Sequence, residues 1–141
     1  MLSNNDIQKA LIAYLKSNSS IADEVTHTVN GKSIVDIRED QWQGRDFAYP
    51  NVRIRLISNT PLYSGECNTH RFYMGIQVFT EDDSSLNADR IAGIINVALH
   101  GTSFSASGIA FSLRTTNLVP AIRSDIQTWR SEALITGVAS G

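Results

Sequence analysis

Cysteine and histidine come close together in the sequence at one place, where Cys67 and His70 are separated by two residues. A histidine that activates a cysteine makes a nucleophile for hydrolysis, and both side chains are zinc ligands. A nucleophilic pair needs a third group that orients the base, and a zinc site needs further ligands, whereas His27 and His100 stand alone. We therefore predict no catalytic residue, no metal site and no cofactor. A small hydrolase that uses Cys67 and His70 stays the less favoured alternative.

Two adjacent carboxylates, Asp82 and Asp83, are the second feature with possible chemistry, either as paired acids or as ligands of a cation. They precede a predicted helix, where acidic residues cap free N–H groups and suit the positive end of the helix dipole. No glycine-spaced calcium loop follows them. The sequence also has no Gly-x-Ser-x-Gly motif and no glycine motif for phosphates or dinucleotides. These patterns predict a helix cap and a protein that is not an enzyme.

Arginines and aromatic residues are the third feature. Apolar residues alternate with arginines over 52–56, which predicts a strand with one face in the core. Arg71 and Tyr73 share one face of the next predicted strand. This face meets solvent, a neighbouring subunit or DNA in a channel. Aromatic residues in the aperiodic segment 38–47 either pack on the core or contact a partner. The candidate interface residues are Trp42, Arg45, Phe47, Arg53, Arg55, Arg71 and Tyr73.

Composition limits the class of protein. The 141 residues are most simply one domain, and the lone cysteine excludes an internal disulfide. A net charge of −2 argues against dedicated nucleic-acid binding, which shows as a basic excess. The first residues do not resemble a signal peptide, and no apolar run approaches the ~20 residues that span a bilayer. We expect synthesis in the cytoplasm and no membrane partner.

Hydrophobic periodicity predicts the elements that position these residues. A helix covers 6–16 with Asn4 or Asn5 as its cap, and a hairpin turns at Asn30-Gly31. Residues 30–48 form a long loop or arm. Strands follow over 52–56 and 69–80, and the second helix ends at Gly101.

The last third of the chain predicts a flexible Ser/Gly-rich loop over 103–107, a strand over 109–113 and a break at Pro120. A final strand covers 126–138, and residues 139–141 form a disordered tail. Helices beside strands without strict alternation predict an α+β fold. We expect an antiparallel or mixed sheet of about four to five strands with two helices on one face.

The chain from residue 49 onward resembles the tail-completion proteins of long-tailed bacteriophages, which are also called tail-terminator or head–tail joining proteins. Residues 49–54 resemble the entry of this family into its first strand, and 72–80 are similar to its long second strand. Residues 84–92 resemble its helix, which closes with Leu99-His100-Gly101. Residues 125–130 are similar to the start of its last strand, and 30–47 match least.

This resemblance implies a virion protein located in the tail or neck. It implies an α+β subunit that forms a ring, usually a hexamer, at the head-proximal end of the tail tube. The ring ends tube polymerisation and joins the tail to the head connector or stopper protein, and DNA passes through its lumen. No catalytic residues come with the family. Another neck component, such as a head-closure or minor tail protein, remains the alternative.

Overall fold

The computed structural model describes residues 2–62 and 68–141 of the chain. Three helices occur in these ranges: α1 (Asn4–Ser17), α2 (Ser19–Val25) and α3 (Leu86–Leu99). The strands of the same ranges are β1 (Thr26–Val29), β2 (Lys32–Val35), β3 (Ile37–Glu39), β4 (Asn51–Pro61), β5 (Thr69–Glu81), β6 (Ser103–Ala106), β7 (Ile109–Arg123) and β8 (Thr128–Ser140).

Six strands form one mixed sheet in the order β3-β4-β5-β8-β7-β6. β3 pairs with β4 in parallel, and the other neighbours in this sheet are antiparallel. The hairpin of β1 and β2 forms a separate sheet, and its turn at Asn30-Gly31 has positive φ at both residues, as predicted. The α+β class is confirmed, and the sheet is mixed, which is one of the two predicted arrangements.

The predicted counts of strands and helices are too low. Residues 103–107, expected to be a flexible loop, contain β6, which pairs with β7. The segment 30–48, expected to be a loop or arm, begins with β2, which is the second strand of the predicted hairpin, and also contains β3. Helix α2 is absent from the sequence prediction. Asn18 favours a turn and so indicates the end of α1, but its side chain also caps α2. The missed strands β3 and β6 have weak local strand preference, and hydrogen bonds to the neighbouring strands β4 and β7 stabilise them.

Helix α1 begins with a capping box built on Ser3 rather than on Asn4 or Asn5. The Asp6 N–H donates to Ser3 Oγ (3.1 Å), and the Ser3 N–H donates to Asp6 Oδ2 (3.0 Å). These hydrogen bonds from the Ser3 backbone and hydroxyl hold the pKa of the Asp6 carboxyl below its ordinary value. The reciprocal bonds therefore start α1 at Asn4, two residues before the predicted start at residue 6.

The core lies between the helices and one face of the sheet. Phe72, Met74, Ile76 and Val78 of β5 are fully buried there, as their alternation predicts. Helix α1 contacts β3, β4 and β6, so the sheet curls until strands from both edges meet the same helix. Helices α1 and α3 contribute Ile7, Leu11, Leu15, Ile91, Ile95 and Leu99. Each fully buried Leu or Ile contributes about 1.5–3 kcal/mol to stability.

Two strands continue to or past a proline. The first is predicted to end at residue 56, and Pro120 is a predicted break, but both strands are longer. β4 continues to Pro61 past an irregularity between Leu56 and Ser58. β7 continues past Pro120, where the register shifts between Val119 and Ile122. This part of β7 pairs with β8 alone, so the missing proline N–H costs no ladder bond to a second strand.

The C-terminal residues differ from the predicted disordered tail. Ala139 is fully buried, and Ser140 ends β8. The Gly141 N–H donates to the Asn68 carbonyl at 3.0 Å. Pairing with β5 and β7 therefore orders the segment 139–141. Within the described residues, no helix is long and apolar enough to cross a membrane.

Candidate interface on the open face of the sheet

The second face of the sheet points away from the helices, and we call it the open face. Along β4, β5, β7 and β8 its side chains alternate with those of the core. Strand register places Arg55 beside Gly75 and Gly75 beside Leu134. The same register aligns Tyr73 with Thr136 and Thr136 with Arg114. Charged and polar residues therefore dominate a surface that spans several strands.

An ion pair between Arg55 and Glu132 crosses the middle of the open face. Arg55 Nη2 donates to both carboxylate oxygens of Glu132, at 3.2 and 3.0 Å, and Nε donates at 3.3 Å. Arg55 is on β4 and Glu132 is on β8, so the pair reaches over β5. Gly75 of β5 makes this possible, because a Cβ there would overlap the Glu132 carboxylate. The pair fixes one arginine that was predicted to be free for a partner.

Replacing Gly75 with alanine is expected to displace the Glu132 carboxylate and to open this ion pair. The Arg55 side chain is 42% exposed, so solvent screens the pair and the loss of stability should stay below about 1 kcal/mol. Urea denaturation of Gly75→Ala and Glu132→Gln, alone and combined, measures the coupling. If the two effects add without coupling, Gly75 does not serve to admit the carboxylate.

Arg53 is buried rather than presented to solvent or a partner, which corrects the prediction for this residue. It is 9% exposed, and its Nη1 donates to Asp36 Oδ1 at 2.7 Å. The Asp36 carboxylate is fully buried and also accepts from the Ala48 N–H at 3.0 Å. Arg38 lies 3.5 Å from the same carboxylate. Asp36 therefore ties β4 to the segment 40–50.

The segment 40–50 folds back on its own sheet. The Arg38 guanidinium lies 3.6 Å from the centre of the Trp42 ring, and that of Arg53 lies 5.5 Å from it. Arg38 Nη1 also donates to the Asp46 carbonyl at 2.7 Å. Phe47 contacts Tyr49 edge-on and remains 47% exposed. Trp42 thus packs on the subunit itself, whereas Phe47 and the exposed Arg45 remain available to a partner.

Arg71 and Tyr73 lie on the uncovered part of the open face, as predicted. Together with Arg114 of β7 they border a groove of about 440 Å³, which we call the cationic groove. Sequence reasoning placed Arg114 on the polar side of its strand but did not select it as an interface residue. The signal was its alternation with Ile109, Phe111 and Leu113, which are all buried.

His70, a candidate for chemistry from the sequence, is buried and has a structural role. His70 is 2% exposed, its Nε2 accepts from the Leu2 N–H (3.2 Å) and its Nδ1 donates to Asn59 Oδ1 (2.8 Å). Both ring nitrogens are therefore engaged in holding the N-terminus. Cys67 lies outside the described residues. Among the described residues, no three His, Cys, Asp or Glu side chains form a group that could hold a metal ion.

Asp82 and Asp83 do not cap α3, contrary to the prediction. Ser85 occupies the cap position without a side-chain hydrogen bond, and the Leu86 N–H donates to Ser84 Oγ at 3.3 Å. Asp82 accepts instead from Asn87 Nδ2 (3.1 Å), and Asp83 accepts from Gln127 Nε2 (3.2 Å). Both carboxylates are exposed.

The far end of α3 closes on Leu99-His100-Gly101. Gly101 has a φ of +69°, the left-handed conformation predicted for the residue after the helix. His100 Nδ1 accepts from the Thr115 N–H at 3.0 Å, and the Gly101 N–H donates to the Leu113 carbonyl at 3.0 Å. This tripeptide therefore fastens the helix end to β7.

A second groove, of about 740 Å³, lies between α2 and α3. Arg90 on its rim donates to both carboxylate oxygens of Glu24, at 2.8 and 2.7 Å. These hydrogen bonds hold the pKa of Glu24 below its ordinary value and raise that of Arg90. Val97 beside them is 82% exposed, so this groove is partly apolar.

Comparison with known proteins identifies the fold. No protein-family model matches the chain, and no curated protein matches it. A solved chain from the virion of a native gene transfer agent particle aligns with a TM-score of 0.68 and 19% identity. The alignment covers 96% of this chain and 95% of that chain. Another solved structure aligns with a TM-score of 0.58 and 13% identity, over 96% and 90% of the two chains.

Proposed function

We propose that this protein is a structural subunit of a virion, and that it forms a ring at the head-proximal end of a phage tail tube. The observation that supports this most is the full-length match in fold to a chain of a gene transfer agent virion. The resemblance of residues 49–54, 72–80 and 98–101 to tail-completion proteins points in the same direction. The first comparison uses backbone geometry and the second uses sequence motifs.

The surfaces suit an assembly role. The open face carries arginines and a tyrosine, and arginine and tyrosine are enriched where proteins meet. Tyr73 is 45% exposed and Phe47 is 47% exposed. A subunit whose two contact surfaces differ associates head-to-tail, and such a contact makes a closed ring when the rotation closes. The ring would meet tail-tube protein on one side and the head connector or stopper on the other.

Light scattering of the purified chain, alone and with tail-tube protein, tests this function. We expect a closed oligomer, most simply of six copies, either in solution or on the tube. Electron microscopy should then show tubes that carry the ring at one end and no longer elongate. A chain that stays monomeric at high concentration and leaves tube growth unchanged would refute the proposal.

A different place in the neck is the second candidate, because head-closure and minor tail proteins are virion subunits of similar size. The location of the protein in the assembled particle separates the two. Density at the junction of tube and connector supports the terminator. Density inside the connector or at the distal tail supports the alternative.

A further inference from the structure

The cationic groove has the chemistry of a site for carboxylate groups. Arg71 and Arg114 border it and are exposed, and neither forms an ion pair within the described residues. Hydroxyl groups of Tyr73, Ser112 and Thr136 complete its lining. Thr116 also lines the groove, but its hydroxyl donates to the Leu134 carbonyl at 3.1 Å. A guanidinium group binds a carboxylate through two parallel hydrogen bonds, and hydroxyls donate further ones. The groove therefore has donors for anionic oxygens and no anion of its own.

The chain carries a matching acidic turn, formed by Glu81, Asp82 and Asp83. All three side chains are exposed, and none forms an ion pair within the described residues. Asp82 and Asp83 do not cap α3, so helix capping does not account for them. Their hydrogen bonds to Asn87 and Gln127 hold the two carboxylates in place before any partner arrives. Such preorganisation reduces the entropy lost on binding.

The acidic turn cannot reach the cationic groove of its own subunit. Arg71 lies near the start of β5 and Glu81 at its end, and the strand is continuous between them. Ten residues of extended chain span roughly 33 Å at ~3.3 Å per residue. Opposite charges thus lie at opposite ends of one rigid element, and only a second copy can bring them together.

We propose that the cationic groove of one subunit receives the acidic turn of the adjacent copy of this chain. This rests on the proposed function, since it names the faces by which neighbouring ring subunits meet. The contact is heterologous: each copy offers one groove and one turn, so every contact leaves a free groove and a free turn. Addition continues until the ring closes. A net charge of −2 favours this occupant over DNA, whose charge calls for a basic excess.

Two charge-reversed variants test the contact. Arg71→Glu/Arg114→Glu makes the groove acidic, and Asp82→Lys/Asp83→Lys makes the turn basic. Each variant alone places like charges together, so we expect the concentration at half-assembly to rise at least about 100-fold. An equimolar mixture restores opposite charges at every contact of an even-numbered ring, and assembly should return. Lys16→Glu/Lys32→Glu has the charge change of the groove variant at exposed sites elsewhere and should assemble normally.

Mass photometry of each protein and of the mixture gives the readout, with circular dichroism to show that each variant is folded. Normal assembly of both variants would overturn the docking contact and leave the ring intact. Loss of assembly without rescue in the mixture would also overturn it. Unchanged assembly with weaker DNA retention in the groove variant would assign the groove to DNA. If the wild-type chain neither assembles nor caps tubes, both the proposed function and the docking contact are refuted.

Discussion

Replacing Asp36 with alanine is expected to lower the free energy of unfolding by about 3–5 kcal/mol. The Asp36 carboxylate is fully buried and lies 2.7 Å from Arg53 Nη1, and the Arg53 side chain is only 11% exposed. Its loss leaves the guanidinium buried without a counter-charge and removes the acceptor of the Ala48 N–H. A chain of this size should then melt roughly 10 °C lower or more.

Urea denaturation measures this loss, and two further variants identify its cause. Asp36→Asn keeps an acceptor for the Ala48 N–H and removes only the charge, so its cost should be smaller. Asp36→Ala/Arg53→Met should recover much of the stability, because removing both charges is far less costly than stranding one. Trypsin should cleave faster after Arg45 in Asp36→Ala, since the segment 40–50 loses its anchor. A cost below 1 kcal/mol would show that the buried pair does not hold this segment.

Replacing Gly137 with alanine is expected to cost about 2–3 kcal/mol through overpacking. Gly137 of β8 faces the core, and a Cβ there would lie 2.5 Å from Phe72 Cζ and 2.6 Å from Leu113 Cδ2. Phe72 is fully buried and packs edge-on against Phe111, so its ring has little room to move. The ring and the leucine must both shift, or the strands must separate.

Gly93→Ala is the matched control, because a Cβ at Gly93 of α3 meets no atom within 4 Å. The helix gains about 0.5–1 kcal/mol there, since alanine loses less backbone entropy than glycine. A leucine at position 72 has a smaller side chain, so Phe72→Leu combined with Gly137→Ala should restore part of the lost stability. Thermal denaturation of the variants checks the opposite signs. Equal effects at the two glycines would exclude overpacking as the reason.

The Asp36→Ala variant also bears on assembly. Asp36 belongs neither to the lining of the cationic groove nor to the acidic turn, so destabilised Asp36→Ala protein that remains folded should still associate. Charge reversal in the groove should do the opposite: it should leave the melting temperature nearly unchanged and reduce assembly. This contrast separates loss of fold from loss of contact, which matters for a protein whose proposed role depends on its surface.

Hydrophobic periodicity by itself determined the core and its main elements. The period-two pattern of β5 predicted the burial of Phe72, Met74, Ile76 and Val78, and the spacing along α3 predicted its buried face. The α+β class followed from the order of these elements. These features are local: each depends on residues a few positions apart, and burial of apolar area dominates their energy.

Only the tertiary structure decided which polar residues are free. Arg53, Arg55 and Arg71 all occur in predicted strands in which apolar and polar residues alternate. In the structure Arg53 is buried in an ion pair with Asp36, and Arg55 pairs with Glu132. Glu132 is distant in sequence and reaches Arg55 only because β5 separates their strands and Gly75 leaves a gap. Alternation defines the face of a strand but not the order of strands, so pairing across the sheet cannot be read from the chain. For the same reason β6 and the ordered residues 139–141 depend on the neighbouring strands that supply their hydrogen bonds.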